Sequence, residues 1–452
     1  MNLRPRQWAS IHGHASAVAS LLLVLLHQAI VASSTIFLTA IIASFQAGKP
    51  FLPALVMFLA TMTLPYLPGA ISFYTLQVWV NRAHMRFVME AASAGAGNVN
   101  AYRNGDLRER TESILARNSY PVIRDYLGAV HELASFALNS LLSVLVIGLL
   151  LPAQLLLGYL ASLLMCAVII AALTRPIARQ SAHSEDCYVR FSATLSKCWD
   201  NLMLGNRHNR NVWVAQVDDD GQRFYRASNR LELIKQVGNV VLAAASLGPS
   251  VLLIVMLASS GQTAAASLAA VIVSLTRIFL ILNALSTLVY RVLDLISLHA
   301  KMRVLFRLQA SLSAAEDPPR GAISSISING QAVGDMQQAL DILASRSAGR
   351  FTITGPNGGG KSTVLLRLKE QHRDRGFLLP AQHGNLMWKS CPDSFSTGQR
   401  SAAILTEVLG IAHIKCLLLD EWDANMDEAN TRRIDALLEH TSKERIVIET
   451  RH

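Results

Sequence analysis

Gly355-Pro356-Asn357-Gly358-Gly359-Gly360-Lys361-Ser362-Thr363 meets every fixed position of the phosphate-loop pattern G-x-x-x-x-G-K-[ST]. The stretch before it, Phe351-Thr352-Ile353-Thr354, alternates as a short strand does, and Ser362 to Glu370 is free of Gly and Pro, as a helix would be. Glycines at these places let backbone N–H groups turn inward around phosphate oxygens at the positive end of a helix. Lys361 adds a point charge for the outer phosphates and Ser362 a hydroxyl for Mg2+.

Working outward, the preceding three hundred or so residues read as membrane. Of the whole chain 51% is hydrophobic and only 16% charged. No Asp, Glu, Lys or Arg occurs from Ala15 to Phe45 or from Phe51 to Val80, and each run exceeds the roughly 20 apolar residues that cross a bilayer. A third uncharged run, Leu133 to Leu173, is about twice that length and carries Pro152 near its middle, which predicts a hairpin of two spans over 133–151 and 153–173. Val237 to Leu257 and Ala264 to Tyr290 follow, parted by Ser259-Ser260-Gly261-Gln262, so the sequence predicts an all-α bundle of six spans.

Basic residues cluster in the N-terminal tail (Arg4, Arg6), in Arg82 to Arg124 and in Arg175 to Lys235, whereas Lys49 is alone on the opposite side. That asymmetry places both termini in the cytoplasm of a multi-pass plasma-membrane protein, a bacterial inner membrane being the expected site. It also accounts for the net charge of +10 without a nucleic-acid partner, for which no recognised module is present. The first apolar run is too long for a cleavable signal peptide and reads as a retained span. Five cysteines without C-x-x-C spacing read as reduced structural thiols.

The polar insertions between the spans carry helix-compatible patterns and read as cytosolic extensions of the membrane helices. An amphipathic pattern from Val292 through Phe306 ends in the Pro- and Gly-bearing cluster Ser313 to Gly321. The expected organisation is therefore a transmembrane domain over 1–309, a linker over 310–322 and a compact α/β domain over 323–452. Its expected strands are Ile326 to Ile328, Phe351 to Thr354, Cys416 to Leu419 and Arg445 to Glu449. The strand Cys416-Leu417-Leu418-Leu419 delivers Asp420-Glu421 at its carboxyl end. Asp420 would hold Mg2+, directly or through water, and Glu421 would polarise an attacking water, since phosphoryl transfer needs a positioned nucleophile and charge neutralisation.

Phe395-Ser396-Thr397-Gly398-Gln399, between the loop and the acids, resembles the L-S-G-G-Q signature of the ATP-binding cassette (ABC) superfamily, with Phe for Leu and Thr for the first Gly. Leu379-Pro380-Ala381-Gln382 looks like that family's Q-loop, Ala424-Asn425-Met426-Asp427 like its D-loop, and His452 stands where its switch histidine is expected. The resemblance is to a six-span exporter-type half-transporter with an unusually short nucleotide-binding domain. It implies an α/β P-loop domain that binds ATP and Mg2+ and works as a homodimer or with a related half-transporter. Ser396, Thr397, Gly398 and Gln399 would face the γ-phosphate held by the partner copy, Gln382 would sense Mg2+, and His452 would assist hydrolysis.

The sequence departs from the family at two places. Only about 35 residues separate Gly360 from Ser396, too few for the family's helical subdomain, and Ile323 to Arg350 contains no aromatic to stack on adenine, which predicts weak base selectivity. Arg277 is the one charge inside an expected span; it either lines a translocation path for an anionic ligand or pairs structurally. His27 and Gln28 on the first span read as interhelical hydrogen-bonding groups. Two functions follow as expectations, ATP-driven export coupled to hydrolysis, or a membrane-anchored ATP-binding regulator or partner subunit that transports nothing. The transported substrate stays open.

Overall fold

A computed structural model describes residues 5–150, 153–204, 206–259, 291–314, 326–344, 346–381, 386–388, 395, 397–424 and 426–451. The chain is mostly helical and divides into two compact units, one of Met1–Ala94 with Asp106–Leu312, the other of Gly95–Gly105 with Ser313–His452.

The first unit contains α1 (Pro5–His12), α2 (Ala15–Gln46), α3 (Leu52–Thr63), α4 (Tyr66–Gly95), α5 (Gly105–Ser113), α6 (Ser119–Leu150), α7 (Ala153–Ser196), α8 (Cys198–Met203) and α9 (Arg207–Ser259). A further helix, α10, covers 291–313. Two stretches among the described residues, Ala15–Phe45 and Leu52–Gly95, are long and apolar enough to cross a membrane. Only 28% and 17% of their most apolar windows is buried, the reverse of what a core helix of a soluble protein would show. Leu22, Leu26, Leu52, Val56 and Leu59 all point outward.

The apolar run over 51–80, expected as one helix, is interrupted at Leu64–Pro65 and becomes α3 and α4. Pro65 has no N–H to donate back into the preceding turn. Its carbonyl accepts from Gly69 N at 3.0 Å and lies 2.7 Å from His27 Nδ1 of α2. Gln28 Nε2 donates to Ser135 Oγ of α6 at 2.8 Å, so both polar residues of the first span join helices. The expected span over 264–290, with Arg277, lies outside the described residues. α7 has 44 residues and α9 has 53, about 66 and 80 Å of helix, far more than a hydrocarbon core of about 30 Å needs.

The core of this unit gathers Ile11 of α1, Trp79 and Phe87 of α4, Ile123 and Leu127 of α6 and Phe306 of α10. Trp79 satisfies its indole N–H on the Ile11 carbonyl at 2.8 Å. A second cluster joins Ile177 of α7, Leu231 and Leu242 of α9 and Leu293 of α10.

The second unit is a mixed six-stranded sheet in the order β2-β1-β3-β6-β5-β4. Its strands are β1 (Ile326–Ile328), β2 (Gln331–Val333), β3 (Gly349–Thr354), β4 (Gly376–Leu379), β5 (Cys416–Asp420) and β6 (Ile446–Thr450). β3, β6, β5 and β4 run parallel, while β1 is antiparallel to both of its neighbours. α11 (Met336–Ala344) and α12 (Lys361–His372) cover one face, α13 (Thr397–Leu409) and α14 (Glu428–Thr441) the other.

The two-residue period of a strand decides which side chain serves which layer. Cys416 and Leu418 join the α11–α12 core, Leu417 and Leu419 the α13–α14 core. Burial pushes the Cys416 thiol up to about 12, which makes it a packing group and not a nucleophile. β2 and β4 were not foreseen from sequence.

Candidate functional site

Gly355 to Gly360 joins β3 to α12, so strand, glycine loop and helix follow one another as the pattern requires. Gly358 (φ +80°) and Gly360 (φ +101°) adopt left-handed backbone that L side chains rarely hold. The space where a Cβ would stand on Gly358 is open. Gly360 caps α12, accepting from Thr363 N and Val364 N at 3.0 Å. Lys361 Nζ folds back onto the Gly355 carbonyl at 2.7 Å, which holds the ammonium across the mouth of the loop. Lys361 and Thr363 are buried at 6% and 7% exposure, so a lysine this enclosed has chiefly a backbone carbonyl to offset its lost hydration.

Asp420 ends β5, and the strand register shows how it comes near the loop. Thr450 of β6 pairs with Ile353 of β3 on one side and with Asp420 of β5 on the other. Two strand spacings, about 10 Å, therefore separate Ile353 from Asp420. The glycine loop that follows β3 and the acids at the end of β5 therefore lie at the same carboxyl edge of the sheet, with β6 between them.

Thr450, fully buried, donates from Oγ1 to Asp420 Oδ1 at 2.7 Å and accepts from Glu421 N at 3.1 Å. One hydroxyl thus orients a carboxylate and pins the backbone of the next acid, whose φ of +49° is left-handed. Such a conformation persists in a non-glycine residue only where the surroundings hold it.

On the opposite face of β6, Glu449 is 2% exposed and accepts from five donors. Arg350 Nε and Nη2 reach it at 3.1 Å, Thr352 Oγ1 at 3.2 Å, Trp422 Nε1 at 2.9 Å and Arg451 Nη2 at 3.2 Å. Arg350 Nη2 also donates to Asp435 Oδ1 at 2.6 Å, and Arg451 bonds the same oxygen. Burial alone would lower the guanidinium of Arg350, but the hydrogen bonds it donates to Glu449 and Asp435 more than reverse it. Burial would likewise raise Asp435, and the bonds from Arg350 and Arg451 hold it below its ordinary range. Trp422, next to Glu421 in sequence, is fixed by this cluster, with the Arg451 guanidinium 5.5 Å from its ring centroid.

Among the expected site residues, the structure thus gathers Gly355 to Thr363, Asp420 and Glu421 at the carboxyl edge of the parallel strands. Thr397, Gly398 and Gln399 open α13 on the helical layer opposite α12. Gln382, Ser396 and His452 lie outside the described residues, as does Asn425. Thr450, Glu449, Trp422 and Arg350 escaped the sequence reading, because none belongs to a spaced motif. Among the described residues no group of three His, Cys, Asp or Glu could hold a metal unaided. The Ser362 hydroxyl and Asp420 carboxylate are hard oxygen donors that suit Mg2+ shared with a phosphate ligand.

No protein-family model matches the chain, and no curated protein matches it.

Proposed function

We propose that this chain is an ABC-type half-transporter, a six-span bundle with a shortened P-loop nucleotide-binding domain, which dimerises and couples ATP binding and hydrolysis to export. The observation that carries the reading is the meeting, at one sheet edge, of a complete glycine loop capping α12 and the Asp420–Glu421 pair, in a chain with two candidate membrane-spanning stretches.

In this reading the N–H groups of Gly360, Lys361 and Ser362 bind the β- and γ-phosphates of ATP, and Lys361 exchanges the Gly355 carbonyl for phosphate oxygens. Mg2+ bound between Ser362 and Asp420 would neutralise charge on the transferring group. Glu421 takes the proton of the attacking water, its backbone fixed by Thr450 so that the carboxylate does not wander. Thr397 to Gln399 stand on the layer opposite α12 and reach the γ-phosphate of the partner copy's nucleotide, Ser396 with them. Gln382 and His452 would complete the site, and Arg277 would either line the substrate path or pair structurally. The cytoplasmic side of a plasma membrane supplies the ATP.

A specific observation also favours the second reading, a membrane-anchored ATP-binding regulator. β4 ends at Leu379 and α13 begins at Thr397, an interval too short for the helical subdomain that docks an exporter's membrane helices. Reconstitution in sealed vesicles separates the two. ATP turnover accompanied by ATP-dependent movement of a lipid or peptide across the bilayer supports export; nucleotide binding without movement of any compound in a broad panel supports the regulator.

A further inference from the structure

The segment between α4 and α5 belongs to the sheet unit and not to the helices it connects. Its single 3-10 turn, Val99–Arg103, lies along α12. Three side chains fasten it there. Asn98 Nδ2 donates to the Ala314 carbonyl at 2.9 Å, Asn100 Nδ2 to Glu370 Oε1 at 3.0 Å, and Arg103 Nη1 to Thr363 Oγ1 at 2.8 Å.

The third contact differs in kind from the other two. Thr363 stands in the first turn of α12, two residues beyond Lys361, where the helix dipole favours an anion. A guanidinium offers five donors in a planar fork suited to carboxylate or phosphate. Here it meets a neutral hydroxyl, and among the described residues no carboxylate lies within ion-pair distance of it. A tether alone would be served by an amide, as at Asn98 and Asn100. Because Thr363 Oγ1 accepts from Arg103, its own proton remains directed to another acceptor.

We propose that Arg103 is a phosphate-binding residue of the nucleotide site, contributed by the segment that joins α4 to α5, and that its ligand is the phosphate chain of a nucleoside di- or triphosphate. The inference rests on the nucleotide reading of the glycine loop. Arg103 keeps its bond to Thr363 and turns its remaining N–H groups to phosphate oxygens. Nucleotide charge then draws on the short peptide that leads into α4 and α5.

Fluorescent-ATP titration of the full-length protein in lipid nanodiscs tests it, with Lys361→Ala, Arg103→Ala, Arg103→Lys and Asn100→Ala alongside. Arg103→Ala should weaken ATP binding about tenfold, as loss of a charge-assisted bond does, with Arg103→Lys in between. Asn100→Ala, which cuts the contact with Glu370, should stay within about twofold. Wild-type affinity in Arg103→Ala, when Lys361→Ala has lost binding, overturns the inference and leaves the nucleotide reading standing. Equal weakening by Arg103→Ala and Asn100→Ala also overturns it, since that marks a tether. No ATP binding by the unsubstituted protein overturns both.

Discussion

Two carboxylates at the same edge of the sheet, Asp420 of β5 and Glu449 of β6, show how neighbouring strand ends serve two purposes. Glu449 points to the α13–α14 layer and is saturated by five donors, three of them from Arg350 and Arg451. Asp420 belongs to the other layer, the side of α12 and the glycine loop, and accepts from the Thr450 hydroxyl. A saturated buried acid has no capacity left for a ligand and is scaffold. A carboxylate held by one neutral hydroxyl is oriented yet keeps lone pairs for a cation.

The contrast breaks first at the residue meant for chemistry. Replacing Glu421 by Gln should leave ATP binding intact and lower turnover by about 100-fold or more, the usual scale of a positioned base. Steady-state phosphate release alongside nucleotide titration reads both, and unchanged turnover removes Glu421 from that role.

Removing the scaffold acid should act in the opposite way. Glu449→Ala removes the buried acceptor shared by Arg350, Arg451, Thr352 and Trp422, leaving the two arginines only their more exposed partner Asp435 and, for Arg350, Glu439, and should cost about 3 to 5 kcal/mol of stability in the sheet unit. Its proteolysis or denaturation midpoint should fall steeply, whereas Asp420→Asn should leave that midpoint within about 0.5 kcal/mol. If the two shift the midpoint equally, the division of labour is wrong.

Thr450, on the Asp420 face, sharpens the comparison. Thr450→Val should reduce turnover about tenfold, with ATP affinity within about twofold, because it loses both the bond that aims Asp420 and the acceptor of Glu421 N. Thr450→Ser should recover most of the activity. A valine variant as active as the parent would show that the hydroxyl only fills space.

The smallest effect concerns pH. Hydrogen bonds from Arg350 and Arg451 outweigh burial and hold the Asp435 carboxyl below its ordinary range, so its contribution is fully present above the unfolded carboxylate value of about 4 and fades as pH falls through the lower folded value. Its side chain is 42% exposed, which limits the effect to about 0.5 to 1 kcal/mol. The stability difference between parent and Asp435→Asn should be constant at neutral pH and vanish in strong acid; a difference that grows on acidification contradicts the assignment.

What the sequence disclosed is what chemistry ties to residue identity at short range. The glycine loop requires its glycines and lysine at fixed spacing, and long uncharged runs announce α2, α6, α7 and α9. The interruption at Pro65 was written in the sequence as well, yet an uncharged run says nothing of continuity unless the proline is weighed. Thr450 could not be found that way, because its importance arises from β6 lying between β3 and β5, an order that no local pattern encodes. Arg103 is more distant still, 260 residues from the hydroxyl it bonds. Its signal was an arginine in a basic loop, already explained by membrane orientation.

In the proposed function ATP is closed between two copies, each completing the other's site. Disulfide cross-linking tests this most directly, with cysteines placed at Asn357 and at Gln399 in a chain stripped of its own cysteines and carrying Glu421→Gln. The prediction is an intermolecular Asn357-to-Gln399 adduct that appears with ATP and Mg2+ and not without them. Cross-links confined within single chains, or equally abundant without nucleotide, would contradict it.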